Sequence, residues 1–499
     1  MARFDYRWPK DRIQAYQQRA LVAYLRDYIA RYSPYYRHLF KERGIDAGEI
    51  KSLADFQRKV PVTGKEALKA DPPAFVLQPM SERNPDVDVL PVTGRKKLGY
   101  ALKAMRSHYY TDMYTGKRSL KARATHVGIN EFFPIHTHLS GGTTGEPTPV
   151  VFTKHDLDGP YPELLGMATL TRSEPTWRGI NLFPGAPHMA FYGPLIAKIQ
   201  FGTPMFETFG GRVIPTDKQV MIAEKMGINT IAAIPTYLGH WLRAAVELQA
   251  AGKIKGLPGI KRVVLTAEPL PDNFRSYLEG LLETLGSKDA VLVNAWGSTE
   301  CRGVFYECSK NSGIHLHPRY HFWEILHPDT LEPVGEGERG ILCFTHIGWR
   351  GTVLLRYNMG DIVEKGLAWN ACPACGLDWP RLDGTISRAT HDVLKVKGAL
   401  VHRPLLIQAI RDVPGVEAFQ VVIRKEREGD AFSRDALDIH YSCKPGQEPR
   451  DVEDQVQRSV KSMVEITPSA VIHESTAAIE ARLFEKKVVK ADLVVDLRP

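Results

Sequence analysis

Between residues 177 and 300, short apolar segments alternate with longer stretches of helical length, and this alternation constrains the fold more than any other feature. The apolar segments are almost continuously hydrophobic and occupy residues 179–183, 230–234, 262–265 and 290–293. Helical stretches include residues 236–250 and 272–284. Strands without polar alternation are typical of sheets buried on both faces, and intervening helices favour parallel connections. The sequence therefore predicts an α/β fold around a largely parallel sheet.

The C-terminal part has a different pattern, that of a separate α+β unit. Apolar residues alternate over 419–423 and 437–441 with a polar turn between them, which predicts two paired strands. A helix is predicted next, because an apolar residue recurs at every fourth position, at Val452, Val456 and Val460. We therefore predict two domains, residues 1–387 and 388–499.

The N-terminal part begins with a helical pattern and then loses it. Residues 12–45 are predicted to be helical, with a stop at Ser33 and Pro34. Residues 70–125 are irregular and basic, and we interpret them as an insertion or cover of the N-terminal domain.

Composition and charge exclude several classes of protein. The 499 residues are 43% hydrophobic and 24% charged, as in ordinary globular proteins. No apolar run approaches the roughly 20 residues that cross a bilayer, so we expect no membrane insertion. Lysine and arginine exceed aspartate and glutamate by 8, and we interpret this excess as spread along the chain, favouring small polyanions over nucleic acid. Six unevenly placed cysteines argue against a disulfide framework and predict a reducing, cytoplasmic location.

A loop rich in glycine and hydroxyl groups lies within residues 139–148. Glycines let backbone N–H groups approach a polyanion and hydroxyl groups add donors, which makes this loop a candidate phosphate cradle. It lacks the residue order of a Walker A loop, and a Gly/Thr-rich surface turn is the alternative. The candidate residues are Ser140, Gly141, Gly142, Thr143, Thr144 and Gly145.

Two further stretches contain side chains that suit a nucleotide. Residues 294–300 follow an apolar strand and supply an aromatic ring, a glycine, a hydroxyl group and a carboxylate, at Trp296, Gly297, Thr299 and Glu300. Residues 355–361 end in Asp361, whose carboxylate is suited to accept both ribose hydroxyls. A capped turn with a solvated aspartate is the alternative there.

These three stretches, in this order, closely resemble the motifs of the adenylate-forming superfamily of acyl-CoA synthetases, and within it the phenylacetate-CoA ligase-like branch. The resemblance extends over residues 33–37, 60–68 and 266–270, and residues 70–125 are its main exception. It implies a large N-terminal ATP- and acyl-binding domain of the adenylate-forming type with mostly parallel sheets, followed by a small, mobile α+β C-terminal domain.

The resemblance implies a role for each matching residue of the large domain. Residues 140–145 would hold the β- and γ-phosphates of ATP, Thr299 would contact the α-phosphate, and Glu300 would ligate Mg²⁺. Asp361 would bind the ribose hydroxyls with support from Arg388. The remaining nucleotide-binding positions that it implies are Ala267, Glu268, Pro269, Trp296 and Gly297.

The C-terminal residues match the family less regularly. Lys487 fits the catalytic lysine best, although Lys486 replaces the usual glycine. Lys486 and Lys490 stay alternatives for this role. Lys397 and Gly398 match the loop that lines the thiol channel in a second conformation.

Two departures from the family pattern affect the site. Glu146 stands where lysine is usual and places a negative charge near the pyrophosphate. The hinge within residues 387–398 begins with serine and is one residue longer than usual, so the pivot is His391 or Asp392.

Four residues have the types and spacing of a structural zinc site. Cys372 and Cys375 form a tight metal knuckle, and Cys308 with His315 completes a Cys₃His set. The branch often has a structural zinc at these places. The alternative histidines are His317 and His321, and four reduced side chains without metal are the alternative to the site.

We therefore predict an enzyme, an acyl-adenylate-forming acid–thiol ligase that uses ATP and Mg²⁺ and releases pyrophosphate and then AMP. The acid is expected to be an aryl or arylacetic acid, and the acceptor CoA. An amine or a carrier protein is the alternative acceptor, a non-catalytic nucleotide-binding interaction protein is a second alternative, and a homodimer is one option for the oligomeric state. An aromatic or amphipathic acid would suit side chains that are more often simply core, namely Phe133, His188, Phe191, Tyr192 and Tyr237. The resemblance places His136 and His138 near segments that shape the acid pocket in relatives.

Overall fold

The computed structural model describes most of the chain, namely residues 4–79, 81–88, 94–106, 119–140, 148–185, 189–211, 213–388, 393–396, 399–427, 435–464, 466–485 and 492–498. The α-helices longer than one turn are α1 (Lys10–Tyr24), α2 (Pro34–Glu42), α3 (Leu53–Lys59), α4 (Lys65–Ala70), α5 (Gly94–Arg106), α6 (Leu120–Phe132), α7 (Lys154–Asp158), α8 (Pro160–Leu165), α9 (Met189–Phe201), α10 (Thr216–Met226), α11 (Pro235–Ala250), α12 (Asp272–Thr284), α13 (Arg403–Arg411), α14 (Pro449–Val464) and α15 (Thr476–Glu485). The strands are β1 (Pro134–Leu139), β2 (Pro149–Thr153), β3 (Gly179–Asn181), β4 (Met205–Glu207), β5 (Thr230–Ala233), β6 (Arg262–Leu265), β7 (Val291–Ser298), β8 (Gly303–Tyr306), β9 (Ile314–His315), β10 (His321–Leu326), β11 (Gly340–His346), β12 (Tyr357–Val363), β13 (Leu367–Ala368), β14 (Arg381–Leu382), β15 (Ile386–Arg388), β16 (Val393–Val396), β17 (Ala399–His402), β18 (Val416–Lys425), β19 (Asp435–Cys443), β20 (Ala470–His473) and β21 (Val494–Asp496).

A nine-stranded sheet occupies the centre of the N-terminal part, in the order β13-β14-β9-β8-β7-β6-β5-β3-β4. Strands β3 to β7 pair in parallel, and α11 and α12 connect β5 to β6 and β6 to β7, which confirms the predicted sheet. The strand predicted over residues 290–293 continues to Ser298, because its second half pairs antiparallel with β8. Trp296 and Gly297 therefore lie within β7 rather than after it.

A second, four-stranded sheet was not predicted from the sequence. Its order is β10-β11-β12-β15, and all its pairs are antiparallel. Every residue of β10 and β11 is buried, so these strands show no polar alternation that would mark them as antiparallel. This sheet carries Asp361 on β12.

The N-terminal helical region is interrupted more than predicted. Helix α1 ends at Tyr24 and continues as a π-helical turn, Leu25–Ile29. The predicted stop is present, and it also starts α2, because the Ser33 hydroxyl caps the new helix by accepting from the Tyr36 N–H.

The segment 70–125 is more regular than the sequence analysis expected. Within its described residues it holds α5 and the start of α6. The two helices pack on each other through a small separate core of Tyr100, Ala104, Ala124 and Val127. The prediction of an irregular segment is therefore wrong for these residues.

The C-terminal part forms the predicted α+β arrangement. Strands β18 and β19 pair antiparallel, with Val421 opposite Ile439, in a sheet of order β20-β19-β18-β21. The predicted helix is α14, and its Val452, Val456 and Val460 are fully buried. Apolar side chains between Leu394 and Val494 form a hydrophobic core that is separate from the cores of the N-terminal part. The boundary at residues 387 and 388 stays a prediction.

Across the part of the chain that the structure describes, no helix combines the length and the apolar character needed to span a bilayer.

Candidate active site and metal centre

The predicted phosphate loop closes a short hairpin of β1 and β2. Leu139 pairs with Pro149 at its end, and the Ser140 N–H donates to the Thr148 carbonyl over 2.9 Å. The Ser140 hydroxyl oxygen accepts from the Thr148 N–H at 3.1 Å and is buried. Ser140 therefore fixes the base of the loop. Residues 141–147, including Gly141, Gly142, Thr143, Thr144, Gly145 and Glu146, lie outside the described residues.

Thr299 and Glu300 lie in the turn between β7 and β8, and both are partly exposed. The turn is closed by Ser298 and Cys301, since the Cys301 N–H donates to the Ser298 hydroxyl at 3.1 Å. Burial raises the pKa of the Cys301 thiol to about 11, so it stays protonated and donates to the Ser298 carbonyl at 3.3 Å. This turn presents Thr299 and Glu300 from a fixed backbone.

The pairing of β7 with β8 requires a glycine at position 297. A Cβ atom at this position would lie 2.3 Å from the carbonyl oxygen of Gly303 on β8. Trp296 beside it packs its ring on Phe305, with centroids 5.9 Å apart, and meets Trp323 edge-on at 6.1 Å. One part of the Trp296 ring is therefore held by the core while the residue remains partly exposed.

A buried ion pair joins the phosphate-loop hairpin to this turn. Asp156 on α7, just after β2, accepts from the Arg302 guanidinium at 3.1 Å, and both side chains have no exposed surface. Arg302 also donates to the Val151 carbonyl on β2 at 3.3 Å. Burial lowers the pKa of Arg302 to about 10, and the Asp156 carboxylate opposes that shift. The sequence analysis missed both residues, although Thr153 and Asp156 form a capping box that is visible in the sequence.

The same aspartate fixes the segment that leads to the third motif. Asp156 accepts from the N–H groups of Arg350 and Gly351, both at 2.8 Å, and the Thr352 N–H donates to the Val151 carbonyl at 3.0 Å. The base of the phosphate loop, the turn with Thr299 and Glu300, and the approach to residues 355–361 are therefore held together.

Asp361 lies on β12 at a bulge. The pairing of β11 with β12 shifts between Ile341 and Cys343, and Gly360 has a left-handed φ of 71° that favours glycine. Asp361 is buried with 3% of its surface exposed, and its backbone pairs with that of Arg388 on β15. The bulge sets the direction of the carboxylate.

A strained arginine anchors the N-terminal side of this motif. Arg356 has a φ of 43°, unusual for a residue other than glycine, and its side chain is buried against Glu324 at 3.2 Å. Burial raises the pKa of the Glu324 carboxyl, and the Arg356 guanidinium opposes that shift. The Arg356 carbonyl accepts from the Thr63 N–H at 2.9 Å, so residues 60–68 are attached to the same motif.

Residues 266–270, which include the predicted nucleotide-binding positions 267–269, follow β6 at the sheet edge where Asn294 also lies, because Leu265 pairs with Asn294 in parallel strands. Within this segment Ala267 has a φ of 78°. Glu268 accepts from the N–H and the hydroxyl of Thr236 at 3.2 and 3.1 Å, which attaches the segment to the start of α11. The segment 266–270 and β7 thus reach the same edge of the sheet.

Comparisons with known proteins agree with this arrangement. Residues 117–349 match the sequence profile of the family described as AMP-binding enzyme. A protein of Thermus thermophilus named phenylacetate-coenzyme A ligase is 27% identical over 430 residues, which are 84% of this chain and 80% of that protein. A protein of the same name from Aromatoleum evansii is 23% identical over 487 residues, 93% of this chain and 90% of that protein.

This chain is similar in sequence to AMP-binding enzymes over residues 117–349 and to the two ligases over most of its length. Its fold is shared by a crystal structure of 2-hydroxyisobutyryl-CoA ligase in the postadenylation state, with a TM-score of 0.69 at 16% identity, covering 99% of this chain and 91% of the other. The same ligase in the thioesterification state gives a TM-score of 0.57 at 17% identity, covering 97% and 89%.

Several predicted residues of this adenylate-forming enzyme lie outside the described residues. They are His188, His391, Asp392, Lys397, Gly398, Lys486, Lys487 and Lys490. The backbone of Arg388 is described and its side chain is not.

The predicted metal ligands of the adenylate-forming enzyme come together. Single ligand atoms of Cys308, His315, Cys372 and Cys375 all lie within 4.8 Å of one another. The Cys308 and Cys372 sulfurs are 3.7 Å apart, and a tetrahedral zinc with bonds of about 2.3 Å places two sulfurs about 3.8 Å apart. Burial and the nearby Arg381 lower the pKa of His315 to about 4, which keeps its imidazole neutral as a ligand must be. The residues present fit a zinc ion.

The two alternative histidines have other roles in the described structure. The Nε2–H of His321 donates to the Cys301 carbonyl at 2.8 Å. His317 accepts from the Arg319 N–H at 3.3 Å and stacks on Tyr320 with ring centroids 5.4 Å apart.

Aromatic and histidine side chains of the predicted acid pocket meet beside β1. His136 and His138 place their Nε2 atoms 3.2 Å apart, and the ring of Tyr192 lies 5.2 and 4.7 Å from theirs. Burial lowers the pKa of His136, which favours the neutral form of this imidazole. Phe191 is buried, whereas Phe133 is 57% exposed and is not part of a core. The Tyr237 hydroxyl donates to Gln219 at 3.2 Å, so the polar end of this side chain has a hydrogen-bond partner within the protein.

The C-terminal unit is attached to helices α11 and α12 by polar contacts. Arg243 on α11 forms an ion pair with Glu480 on α15, which also accepts from His240 at 3.2 Å. The Tyr277 hydroxyl on α12 donates to Glu417 at 2.8 Å. Helix α15 ends at Glu485, two residues before Lys487. These interface residues were missed because neither partner of a long-range ion pair has a sequence signature of its own.

Proposed function

We propose that this adenylate-forming enzyme is an ATP-dependent carboxylic acid–CoA ligase that acts through an acyl-adenylate. In the first step the carboxylate attacks the α-phosphorus of ATP and pyrophosphate leaves. In the second step the thiolate of CoA attacks the acyl carbon and AMP leaves. The observation that carries the proposal is the attachment of the phosphate-loop base, the turn at Thr299 and Glu300, and the Asp361 motif to one buried aspartate, Asp156.

Each step needs positive charge and hydrogen-bond donors where negative charge collects. We assign residues 140–145 to the β- and γ-phosphates, Thr299 to the α-phosphate and Asp361 to the ribose. Glu300 would hold Mg²⁺, which neutralises phosphate charge when bound. Its exposed position on a rigid turn supports that role. Lys487 would stabilise the pentavalent transition state.

We further propose an aromatic acid as the substrate. The rings of His136, His138 and Phe191 each lie within about 6 Å of the ring of Tyr192, and grouped aromatic rings suit an aryl group. The names of the two curated relatives support an arylacetic acid and CoA.

We also propose a structural zinc at Cys308, His315, Cys372 and Cys375. The set supplies four protein ligands and leaves no position for a substrate, which is typical of structural sites. All six cysteines are free of disulfides, which supports a reducing, cytoplasmic setting.

The test is acid-dependent exchange of labelled pyrophosphate into ATP, over a panel of aryl, arylacetic and aliphatic acids. We expect exchange with an aromatic acid, and AMP release that is accelerated by CoA. Faster AMP release with hydroxylamine or with a carrier protein than with CoA would identify an amine or a carrier protein, rather than CoA, as the acyl acceptor. ATP binding without exchange for any acid would favour the non-catalytic alternative.

A matched pair of variants tests the lysine. Lys487→Ala should lose at least about a hundredfold in exchange, since it removes charge stabilisation in the transition state, and Lys490→Ala should retain exchange. If Lys490→Ala loses exchange and Lys487→Ala retains it, Lys490 is the catalytic lysine.

A further inference from the structure

The positive charge of the chain is concentrated in one segment. Residues 94–129 contain nine lysines and arginines and one acidic residue, a formal charge of +8. The rest of the chain has 56 basic and 56 acidic residues and is formally neutral. The expectation of an evenly spread excess is therefore wrong, and the whole excess belongs to the segment that holds α5 and most of α6.

The described side chains of this segment also expose apolar groups. On α5 the residues at positions i, i+4 and i+7 share one face and are 58%, 47% and 46% exposed, at Leu98, Leu102 and Met105. The opposite face of α5 is buried against α6 through Tyr100 and Ala104. Lys97 and Lys103 on α5 and Lys121 on α6 are exposed. Further exposed apolar side chains follow on and after α6, at Leu120, Ile129, Phe133 and Ile135.

We propose that the exposed face of α5 with Leu98, Leu102 and Met105, together with Lys97, Lys103 and Lys121 and here called the basic hairpin face, docks the enzyme on an anionic lipid surface. Helices that lie in a bilayer interface combine lysine and arginine with leucine or phenylalanine in this way. Helix α5 has 13 residues and is about 20 Å long, so it lies on the surface and does not cross.

Two other occupants suit this face less well. Protein interfaces are depleted of lysine, whereas α5 and α6 carry the exposed lysines Lys97, Lys103 and Lys121. A symmetric dimer through these helices would bring two segments of formal charge +8 near each other, and their repulsion opposes that contact. A membrane rich in acidic phospholipid has complementary charge and also accepts the apolar side chains.

The test is co-sedimentation of the full chain with phosphatidylcholine vesicles, with and without phosphatidylserine, at low and high salt. We expect binding only with phosphatidylserine. Each lysine near an anionic surface contributes roughly a fivefold gain in partitioning, so the triple variant Lys97→Ala, Lys103→Ala, Lys121→Ala should bind about a hundredfold more weakly. The control variant loses three exposed lysines elsewhere, at Lys225, Lys253 and Lys288, and should bind like wild type.

A second variant tests the apolar contribution at unchanged charge. Leu98→Gln, Leu102→Gln and Met105→Gln together should weaken binding at least about tenfold, because they remove the groups that enter the interface. Its control changes Met221, Met463 and Leu497 to Gln, which are 38%, 37% and 58% exposed on other surfaces. Circular dichroism checks that each variant is folded.

Three results would overturn the proposal: no sedimentation with anionic vesicles at low salt, equal sedimentation with both lipids, or hairpin-face variants that bind like their controls. If the protein does not sediment with anionic vesicles at low salt, an acidic protein replaces the lipid surface as the expected partner. None of these readouts uses the ligase reaction, so the proposal stands or fails independently of the proposed function.

Discussion

At the scale of single residues, the buried histidines behind the active-site turn link stability to pH. His346 accepts through Nδ1 from the Leu354 N–H at 3.1 Å and from Arg302 at 3.3 Å, so that nitrogen carries no hydrogen. Burial and the Arg302 guanidinium hold the pKa of His346 well below its usual value. A histidine in the unfolded chain has a pKa of about 6.5, so it binds a proton at a higher pH than His346 does in the folded protein. The stability from neutral His346 is therefore complete above about pH 6.5 and is lost as the pH falls.

We expect the free energy of unfolding to decrease between pH 6.5 and pH 5, with His346 contributing up to about 1.4 kcal/mol per pH unit. His346→Asn keeps a hydrogen-bond acceptor that does not titrate. The free energy of unfolding of this variant, measured with denaturant, should therefore depend less steeply on pH, by up to the same contribution. His38→Asn, on an exposed side chain, should leave the slope unchanged. Equal slopes for wild type and His346→Asn would contradict this assignment.

At the scale of structural elements, the four ligand residues connect strands that are otherwise short. Cys308 precedes the two-residue strand β9 and His315 is the second residue of that strand, whereas Cys372 and Cys375 lie in the loop before the two-residue strand β14. Only Arg381 and Leu382 of β14 pair with β9, so the backbone alone holds this end of the sheet weakly. A metal at this place would join the two segments.

We predict one zinc per chain in the purified protein, measured by elemental analysis. Cys372→Ser should lose the metal and lower the free energy of unfolding by about 4 kcal/mol, because a metal crosslink is lost. Cys443→Ser removes a thiol outside the cluster and should retain the zinc. Protein that is fully stable without metal, or equal metal contents in the two variants, would exclude a structural zinc.

The elements also show how far sequence reasoning reaches. Strands β5 and β6 and helices α11 and α12 could be predicted because each is long enough for its own hydrophobic pattern. Strands β9, β13 and β14 have two residues each and depend on partners distant in the sequence, so no local pattern marks them. Helix α5 was missed although Leu98, Leu102 and Met105 recur at helical spacing along it.

The same distinction applies to the candidate site. The glycine, hydroxyl and acidic residues of the motifs are contiguous, so the resemblance located them in the sequence. Asp156 and Arg302 act through contacts between segments about 150 residues apart, and only the structure reveals that they join the motifs.

At the scale of the whole molecule, the ion pair between Arg243 and Glu480 holds the C-terminal unit against α11. Both side chains are largely buried, at 20% and 17% exposure, and Glu417 lies 3.6 Å from the same guanidinium. Helix α11 also contacts residues 266–270 through Thr236 and Glu268. The pair therefore holds α15 against the helix that contacts residues 266–270.

We predict that Arg243→Glu lowers pyrophosphate exchange by about tenfold to a hundredfold, because loss of a buried ion pair shifts the population away from this domain arrangement. Thioester formation from supplied acyl-adenylate should be unchanged, since we predict a second domain arrangement for that step. The charge exchange Arg243→Glu with Glu480→Arg should restore part of the exchange activity. Arg339→Glu, which breaks an exposed pair with Glu364, is the matched control and should have wild-type activity. Equal losses in both half-reactions, without recovery in the double variant, would mean that Arg243 supports folding rather than the position of α15.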